Sequence, residues 1–515
     1  MRVRWAALVA VVGGFAGAGA FPRLGIWPLM FISVAALSYA VDGRRARTGA
    51  WLGYLYGLAF LLPLLHWTGV YVGPVPWLIL AAAEAAFFAL LGTLLVLVQR
   101  RPFAPMWIGA AWVLQEFLRD RLPFGGFPWG RLAFSQATSP LKWFAALGGA
   151  PLVSFAVALA GGALAVAARG LRELRWAAAT ASVFVLALIL AVPLHVGRTD
   201  GGTPLRIALI QGNVPSEGLE NETRAREVLD YHVAQTMRLV ADIKAGRAQR
   251  PDLVLWPENA SDVDPFADPT AYQLIDETVR AVGAPILVGA ILQAPHGDRY
   301  NVGILWSPTS GPGARYTKRH PVPFGEYIPL RSIATWVSSD ANLVTDMLAG
   351  HGNGLLKGGP VPIGDVICFE VAYDSLVQSS IKAGAQVLVV QTNNATFGHT
   401  SETYQQLAMS RLRAVETGRT VMQVATTGKS AVIDPDGRIV AQSGALYTAA
   451  TLTADVAPRT AKTLAVRLGA WPEYVLSAFA VLAAACSIGL SLRQRRRRTP
   501  DPSPTPGQSE EMVTT

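Results

Sequence analysis

The sequence predicts an α/β domain attached to a bundle of eight transmembrane helices. Only 15% of the 515 residues are charged, whereas a soluble domain usually carries about 25%. The deficit is confined to residues 1–197 and 472–492, which are almost continuously apolar, while residues 204–460 have an ordinary globular composition. In that middle region short β-rich runs alternate with helical stretches, a pattern typical of helices that cover the faces of a sheet. A purely cytosolic enzyme, a secreted disulfide scaffold and a disordered protein are therefore excluded.

Eight apolar runs predict the membrane helices, because each is near the roughly 20 residues needed to span hydrocarbon. The runs occupy approximately residues 5–20, 24–41, 50–68, 76–98, 104–119, 144–168, 175–195 and 472–492. The first run could instead be a cleavable signal peptide, because it is short, follows two arginines and ends in small residues. We favour a span, since a second apolar run follows at once.

Arginine clusters lie in every second connection between these runs. They comprise Arg2 and Arg4; Arg44, Arg45 and Arg47; Arg100 and Arg101; Arg169, Arg172 and Arg175; and Arg493 with Arg495, Arg496, Arg497 and Arg498. The positive-inside rule assigns such connections to the cytoplasm. Seven spans in residues 1–197 then place residues 198–471 outside the cytoplasm, and the span at 472–492 returns the tail, residues 493–515, to the inside. The clustered arginines behind the net charge of +9 are thus explained by the orientation of the chain in the membrane, and no nucleic-acid partner is expected.

Within the middle region we predict buried strands joined by helices. The predicted strands are Leu205–Gln211, Asp252–Trp256, Pro285–Ile291, Val361–Ile367 and Gln386–Gln391. The predicted helices are Arg224–Ile243, Tyr272–Val282, Ser375–Ala383 and Glu402–Thr417. About 250 residues are enough for one hydrophobic core.

Reactive side chains follow three strand-like segments, at the places where α/β folds tend to put their sites. Glu258 follows a strand in L-V-L-W-P-E-N, and Lys318 and Glu326 lie in Y-T-K-R-H-P-V-P-F-G-E-Y-I-P. Cys368 and Glu370 follow a strand in V-I-C-F-E. A single glutamate or lysine at such a place is most often a surface charge, and a single cysteine is most often a packing residue in the core. Together they supply a nucleophile, a base and a cation, the minimum set for acyl transfer.

The chain order of these residues resembles the Glu–Lys–Cys triad of the nitrilase superfamily. With seven predicted spans before the domain and one after it, roughly residues 5–490 resemble the bacterial apolipoprotein N-acyltransferases. The stretches Q-G-N at 211–213, P-F-G-G-F-P-W-G at 123–130 and N-N-A-T-F-G at 393–398 also match. The chain departs from the family at Phe369, where some members have tyrosine, and near Glu220, where some have a tryptophan.

The resemblance implies a nitrilase-like αββα sandwich on the membrane bundle, in the plasma (inner) membrane of a bacterium. It implies that Cys368 takes an acyl chain from a phospholipid as a thioester and passes it to the N-terminal amine of a diacylglyceryl-cysteine lipoprotein. Glu258 would be the proton acceptor and Lys318 the oxyanion stabiliser, with Glu326 and Glu370 in support. We expect no cofactor and no metal, since no metal-binding spacing is present, and we expect a monomer.

The segment Pro329–Gly350 carries apolar residues between polar ones, including Trp336, Leu343 and Met347. We interpret it as a mobile amphipathic arm that dips into the membrane interface and gates lipid access. An ordinary packed surface helix is the alternative.

Other functions stay open from the sequence. A membrane-tethered amidase would use the same triad with water as the acceptor, although a single anchor would suffice for it. A transporter or lipid-binding scaffold is weakly supported, because intramembrane charges such as Glu84 are few. His320 near Lys318 could form a Cys–His pair, but a histidine before a proline in a basic turn is more often solvated.

Overall fold

A computed structural model describes residues 2–169, 187, 202–215, 224–332, 335 and 344–498. The seventh predicted span, residues 175–195, lies outside this part of the chain apart from residue 187.

The apolar runs before residue 169 form helices. Those helices are α1 (Val3–Gly19), α2 (Leu29–Ala40), α3 (Ala46–Leu64), α4 (Pro74–Val98), α5 (Ala104–Arg119) and α6 (Phe144–Ala167). Within the described residues, three stretches are long and apolar enough to cross a membrane, namely Pro74–Val98, Pro140–Ala167 and Trp471–Leu490. The apolar helices Val3–Gly19 and Leu29–Ala40 are shorter. Among the described residues, both the length and the apolar composition of a membrane span are thus found for three of the predicted spans.

Helices α3 and α4 touch backbone to backbone through glycines. A Cβ atom on Gly53 would lie 2.0 Å from the carbonyl oxygen of Phe88, and one on Gly92 would lie 2.1 Å from that of Gly49. Any larger residue would push the two helices apart. Small residues at such contacts are typical of helix packing in membranes, where close van der Waals contact replaces the hydrophobic effect.

The middle region contains two sheets, each of six described strands. The first sheet has the order β12-β1-β2-β3-β4-β5 and the second has the order β11-β10-β9-β8-β7-β6. The strands are β1 (Leu205–Gln211), β2 (Leu253–Leu255), β3 (Ile286–Gln293), β4 (Arg299–Ser307), β5 (Gly311–Thr317), β6 (Leu355–Leu356), β7 (Ile363–Ile367), β8 (Val387–Thr392), β9 (Val421–Ala425), β10 (Ala431–Ile433), β11 (Ile439–Gln442) and β12 (Ala450–Val456). In each sheet the three central strands are parallel, β1-β2-β3 and β7-β8-β9. The carboxyl ends of parallel strands therefore meet at one edge of each sheet.

The two sheets pack face to face. Their shared core is formed by aliphatic side chains such as Leu209 and Leu255 from the first sheet and Ile367, Val389 and Val424 from the second. These residues are almost fully buried, so each contributes about 1.5–3 kcal/mol of hydrophobic stabilisation. The inter-sheet core holds the ends of β2 and β7, and with them Glu258 and Cys368, on facing sheets.

Helices cover the outer faces and complete an αββα arrangement. Helices α7 (Ala225–Lys244) and α8 (Pro269–Val282) pack on the first sheet. Helices α9 (Asp374–Lys382) and α10 (Glu402–Thr417) pack on the second sheet, and their core continues into that of the apolar N-terminal helices. The remaining helices are α11 (Leu464–Leu468) and α12 (Trp471–Arg498). The α/β fold predicted from the alternation of strands and helices is confirmed.

Candidate functional site

The residues predicted from the three strand-end motifs come together at one end of the sandwich. Glu258 follows β2 and Lys318 follows β5, both in the first sheet, while Cys368 follows β7 in the second. Glu258 is 4% exposed and Lys318 is 1% exposed. Two ionisable groups so deeply buried need partners, since an unpaired buried charge is strongly unfavourable.

The Glu258 carboxylate is held by donors from three directions. Its Oε1 atom accepts from Lys318 Nζ at 3.0 Å and from Asn301 Nδ2 at 2.7 Å. Its Oε2 atom accepts from the backbone N–H of Asn393 at 2.8 Å. The Glu258 backbone carbonyl also accepts from Thr426 Oγ1 at 3.0 Å. Both sheets thus orient this carboxylate.

Lys318 lies between two carboxylates. Its Nζ atom donates to Glu258 and, at 2.7 Å, to Glu326 Oε1. Burial by itself lowers the pKa of a lysine, but the charges of Glu258 and Glu326 outweigh it and raise the pKa of Lys318 well above its usual range. Glu326 is held in turn by the backbone N–H of Val322, which donates to its Oε2 atom at 2.8 Å. Lys318 is therefore a fixed cation.

Cys368 begins a short 3₁₀ turn directly after β7, with φ at +52°. Such a conformation is strained for a residue with a side chain, and strained residues cluster at functional sites. Its Sγ atom receives contacts from Thr392 Oγ1 at 3.4 Å and Gln406 Nε2 at 3.6 Å. Burial and the charge of Glu258 raise the pKa of the Cys368 thiol, and Lys318 opposes the rise. The resting group is therefore a thiol, which needs a base to become a nucleophile.

Glu370 is fully buried and is surrounded by donors. Its carboxylate accepts from the backbone N–H groups of Arg319, His320 and Ile367 at 2.7, 3.1 and 2.8 Å. The hydroxyl of Tyr316 donates to it at 2.9 Å. Burial raises the pKa of Glu370, while the N–H of Ile367 and the other donors lower it. Glu370 thus ties the segment after Lys318 to the strand before Cys368.

An aromatic cluster lies beside the cysteine. Phe369 stacks on Trp129 and on Phe127, with ring centroids 5.9 and 5.6 Å apart. Trp67, in the connection between α3 and α4, contacts Trp129 and Phe397 at 5.0 Å each. The two sequence stretches at 123–130 and 393–398 therefore meet at Trp67, and the first of them also contacts Phe369. The cluster gives the site an apolar wall on its membrane-helix side.

His320 is not a partner of the cysteine in this arrangement. Its ring lies 4.1 Å from that of Tyr373, between centroids, and its backbone N–H donates to Glu370. Burial and the charge of Lys318 lower the pKa of His320 to about 4. The described hydrogen bonds of Cys368 Sγ are those from Thr392 and Gln406.

Of the residues assigned to the gating arm, Met347 is described, and Trp336 and Leu343 lie outside the described residues. The Met347 backbone N–H donates to the carbonyl oxygen of Glu326 at 2.7 Å, and the residue is half-buried. This contact places the end of the segment 329–350 against the loop that carries Glu326.

Sequence reasoning missed several groups of the site. Asn301, Thr392 and Gln406 contact Glu258 or Cys368, but each reaches the site from a strand or helix that lacks a reactive motif. The stretch 393–398 was the available signal, since it begins with the N–H that binds Glu258. Among the described residues no group of three or more His, Cys, Asp or Glu could hold a metal ion.

Comparisons with known proteins cover both regions of the chain. Residues 13–163 match the apolipoprotein N-acyltransferase N-terminal domain, and residues 206–465 match the carbon-nitrogen hydrolase family. An apolipoprotein N-acyltransferase of Mycolicibacterium smegmatis is 39% identical over 464 residues, covering 84% of this chain and 77% of the relative. Those of Geobacter metallireducens and Pseudomonas putida are each 31% identical, covering 84% and 92% of this chain and 86% and 94% of the relatives.

Solved structures of the nitrilase superfamily are also similar. Saccharomyces cerevisiae Nit3 aligns with 18% identity and a TM-score of 0.37, over 50% of this chain and 92% of that one. The family assignment rests on the sequence matches alone. On the full-length relatives and the two family matches, this chain belongs to the apolipoprotein N-acyltransferase family and carries a carbon-nitrogen hydrolase domain.

Proposed function

We propose that this chain transfers an acyl chain from a membrane phospholipid to the N-terminal amine of a diacylglyceryl-cysteine lipoprotein, through a thioester on Cys368. The transfer would be the last step of lipoprotein maturation. The observation that carries the proposal is the convergence of a buried carboxylate, a buried ammonium and a thiol at three strand ends. The printed names of the relatives support an apolipoprotein as the acceptor.

In the first step the Cys368 sulfur attacks the ester carbonyl carbon of the phospholipid. Glu258 takes the thiol proton as the S–C bond forms, and returns it to the leaving oxygen as the C–O bond breaks. The products are the acyl-enzyme and a lysophospholipid. The need for a base follows from the raised pKa of the buried thiol.

Lys318 would stabilise the negative oxygen of the tetrahedral intermediate, together with the backbone N–H after Cys368. A preorganised donor of this kind is commonly worth about 3 kcal/mol of barrier. Lys318 suits the role because Glu258 and Glu326 keep it charged in a buried site. Glu326 would orient Lys318, and Glu370 would hold the segment that follows Lys318.

In the second step the α-amine of the lipoprotein cysteine attacks the thioester carbon. Glu258 accepts the amine proton and passes it to the departing sulfur, which restores the Cys368 thiol and leaves an amide on the acceptor. The order is ping-pong, because the lysophospholipid leaves before the amine reacts. A phospholipid alone should therefore load Cys368 with one acyl chain.

Both substrates are lipids, so the site must communicate with the bilayer. We assign residues 1–197 to seven spans, 472–492 to an eighth, and 198–471 to the extracytoplasmic side, in a multi-pass plasma-membrane protein. The aromatic cluster around Phe369 would face the acyl chain, and the segment 329–350, with Trp336, Leu343 and Met347, would gate its access. Exchange protection of that segment as strong as that of β1 would contradict the gate.

The decisive experiment is mass spectrometry of a synthetic diacylglyceryl-cysteine peptide after incubation with the purified full chain and phospholipid. The expected result is a mass gain of one acyl chain on the peptide, and none with Cys368→Ala. Omitting the peptide should leave the acyl mass on Cys368 of the wild-type chain.

Each alternative has its own outcome in the same experiment. Cys368-dependent cleavage of small amides without peptide acylation would replace the proposal by an amidase. No activity on either substrate, with folded protein and varied lipids, would replace it by a lipid-binding scaffold. Substantial transfer by Cys368→Ala would overturn the role of the thiol.

A further inference from the structure

The core between the two sheets contains an acid that the proposed reaction does not use. Asp365 lies on β7, three residues before Cys368, and is fully buried. Neither of its carboxylate oxygens has a hydrogen-bond partner among the described residues. A buried acid without a partner is unfavourable by several kcal/mol, so this position requires an explanation.

The space that Asp365 lines is also lined by an acceptor, the side-chain oxygen of Gln391. A Cβ atom built on Gly303 of β4 would lie 2.1 Å from Asp365 Oδ2 and 2.6 Å from Gln391 Oε1. The two oxygens thus converge on the space that the missing Gly303 side chain leaves open. Gln391 Oε1 has no donor among the described residues either.

The orientation of Gln391 is determined by its other amide atom. Gln391 Nε2 donates to the backbone carbonyl of Trp256 at 2.6 Å. Turning the amide over would set its oxygen against that carbonyl, which is itself an acceptor. Gln391 Oε1 must therefore point into the space at Gly303 that Asp365 Oδ2 also lines, and these two acceptors can form a hydrogen bond there only if one of them carries a proton.

The surroundings of Asp365 favour the protonated form. Burial is the main effect that raises the pKa of Asp365, and the anionic carboxylates of Glu370 and Glu258 add to it. Tyr316, whose hydroxyl donates to Glu370, brings no further positive or negative charge, since burial raises its pKa. The backbone N–H of Asp365 is already used by the carbonyl of Gly354, at 2.7 Å.

We propose that Asp365 is a positioning residue, held as the neutral acid, which donates its proton to Gln391 Oε1. The resulting chain of hydrogen bonds runs from Asp365 on the cysteine strand through Gln391 to the Trp256 carbonyl. That carbonyl lies two residues before Glu258. The proton of Asp365 therefore fixes the strand of the nucleophile relative to the turn that carries the base.

Glu370, five positions after Asp365, is a buried acid with the opposite surroundings. Three of its partners are backbone N–H groups, which can only donate, so its carboxylate is satisfied as an anion. Asp365 has no hydrogen-bond donor among the described residues and shares its space with the acceptor Gln391 Oε1, which a protonated acid would satisfy. An amide can replace an acid that donates, but it cannot replace an anion that accepts from every side.

The test compares Asp365→Asn with Asp365→Leu in the full chain, in lipid and detergent. The asparagine amide can donate to Gln391 Oε1, so Asp365→Asn should keep kcat within ~3-fold of wild type, whereas Asp365→Leu should lower kcat at least ~10-fold with KM changed less than ~3-fold. An Asp365→Asn variant as inactive as Asp365→Leu would overturn the proposal.

An infrared difference spectrum tests the protonation directly, and it keeps the proposal testable if Asp365→Leu does not fold. The wild type minus Asp365→Asn spectrum should show the carbonyl band of a protonated carboxylic acid, shifted in D₂O. The matched wild type minus Glu370→Gln spectrum should show a carboxylate band instead. Absence of the acid band in the first spectrum would overturn the proposal.

The kinetic comparison rests on the proposed function, and the spectrum does not. If the wild type transferred no acyl chain, the proposed function would fail while the acid band still reported on Asp365. If transfer were normal but the band were absent, the proposed role of Asp365 would fail alone.

Discussion

The ring of Phe369 lies flat on the indole of Trp129, with ring centroids 5.9 Å apart and planes inclined by 8°. Phe369 follows the proposed nucleophile, whereas Trp129 belongs to the connection between α5 and α6. The indole N–H of Trp129 donates to Gln405 Oε1 at 2.6 Å, on helix α10. The backbone at Cys368 is thus packed against a segment that enters from the membrane helices.

Replacing the Phe369 ring should lower the stability of the fold and the acyl loading of Cys368. Phe369→Ala removes a buried ring, for which losses of about 3–5 kcal/mol are typical. Phe369→Leu keeps most of the apolar volume but loses the flat face, so a smaller loss of about 1 kcal/mol is expected. Thermal unfolding in detergent measures both, with acyl loading of Cys368 as the functional readout. Equal effects of the two variants would contradict a role for stacking.

Variants of Lys318 and of its partner Glu326 should distinguish the effect of the Lys318 charge from the effect of its positioning. Lys318→Met leaves Glu258 and Glu326 facing each other without a cation, so acyl loading of Cys368 should fall by about 10²–10³-fold. Glu326→Gln keeps an acceptor for Lys318 and should cost about tenfold or less. Single-turnover loading from phospholipid measures the step alone. Loading by Lys318→Met at more than about a tenth of the wild-type rate would rule out Lys318 as the oxyanion partner.

Acid should destabilise the α/β domain through His232. Burial lowers the pKa of His232 to about 4, so the folded state binds fewer protons than the unfolded state between pH 4 and about 6.5. Stability is then complete above the unfolded pKa and decreases as the pH falls, by about 2 kcal/mol at pH 5. His232→Leu should flatten this dependence in unfolding measured from pH 7.5 to 5.

The exposed His296, on a surface turn, is the matched control for that measurement. Its replacement by glutamine should leave the difference between pH 7.5 and pH 5 as in the wild type. A dependence unchanged in His232→Leu would assign the acid sensitivity to other groups.

Asp374 should be essential for joining the membrane helices to the α/β domain. Its carboxylate pairs with Arg131 at 3.0 Å, from the connection before α6, and with Arg413 of α10 at 2.6 Å. Burial opposes the charge, but Arg131 and Arg413 hold the pKa of Asp374 below its ordinary value. Asp374→Asn leaves two buried guanidinium groups without this anion, so a loss of about 3 kcal/mol is expected.

Asp455→Asn is the matched control, because it removes the ion pair between Asp455 of β12 and Arg206 of β1, which is exposed to solvent. It should shift the unfolding temperature little, whereas Asp374→Asn should lower it by several degrees. Equal shifts of the unfolding temperature would show that the buried contacts of Asp374 with Arg131 and Arg413 contribute no more stability than an exposed ion pair.

Much of the α/β domain could be predicted from local pattern. All five predicted strands and all four predicted helices lie within a few residues of their predicted bounds, as β2 and α10 illustrate. The five strands are mostly buried, so their apolar runs are nearly continuous, and the four helices show the apolar periodicity of helices that pack on a sheet. The strands that were missed include β5 and β12, whose residues are mostly half-buried or exposed. A half-exposed edge strand has no strong apolar signal of its own.

The sequence by itself determined that Glu258 follows β2 and that Cys368 follows β7, because each residue stands just after an apolar run in the chain. It could not determine what opposes them across the sandwich. Asn301 binds Glu258, and Gly303 leaves room for Asp365 and Gln391, only because two sheets pack face to face in one register. Whether a buried acid meets donors, as Glu370 does, or shares its space with an acceptor, as Asp365 does with Gln391, is set by contacts between segments far apart in sequence. Tertiary structure alone decides that, since the free energy of a buried charge depends on its partners in space.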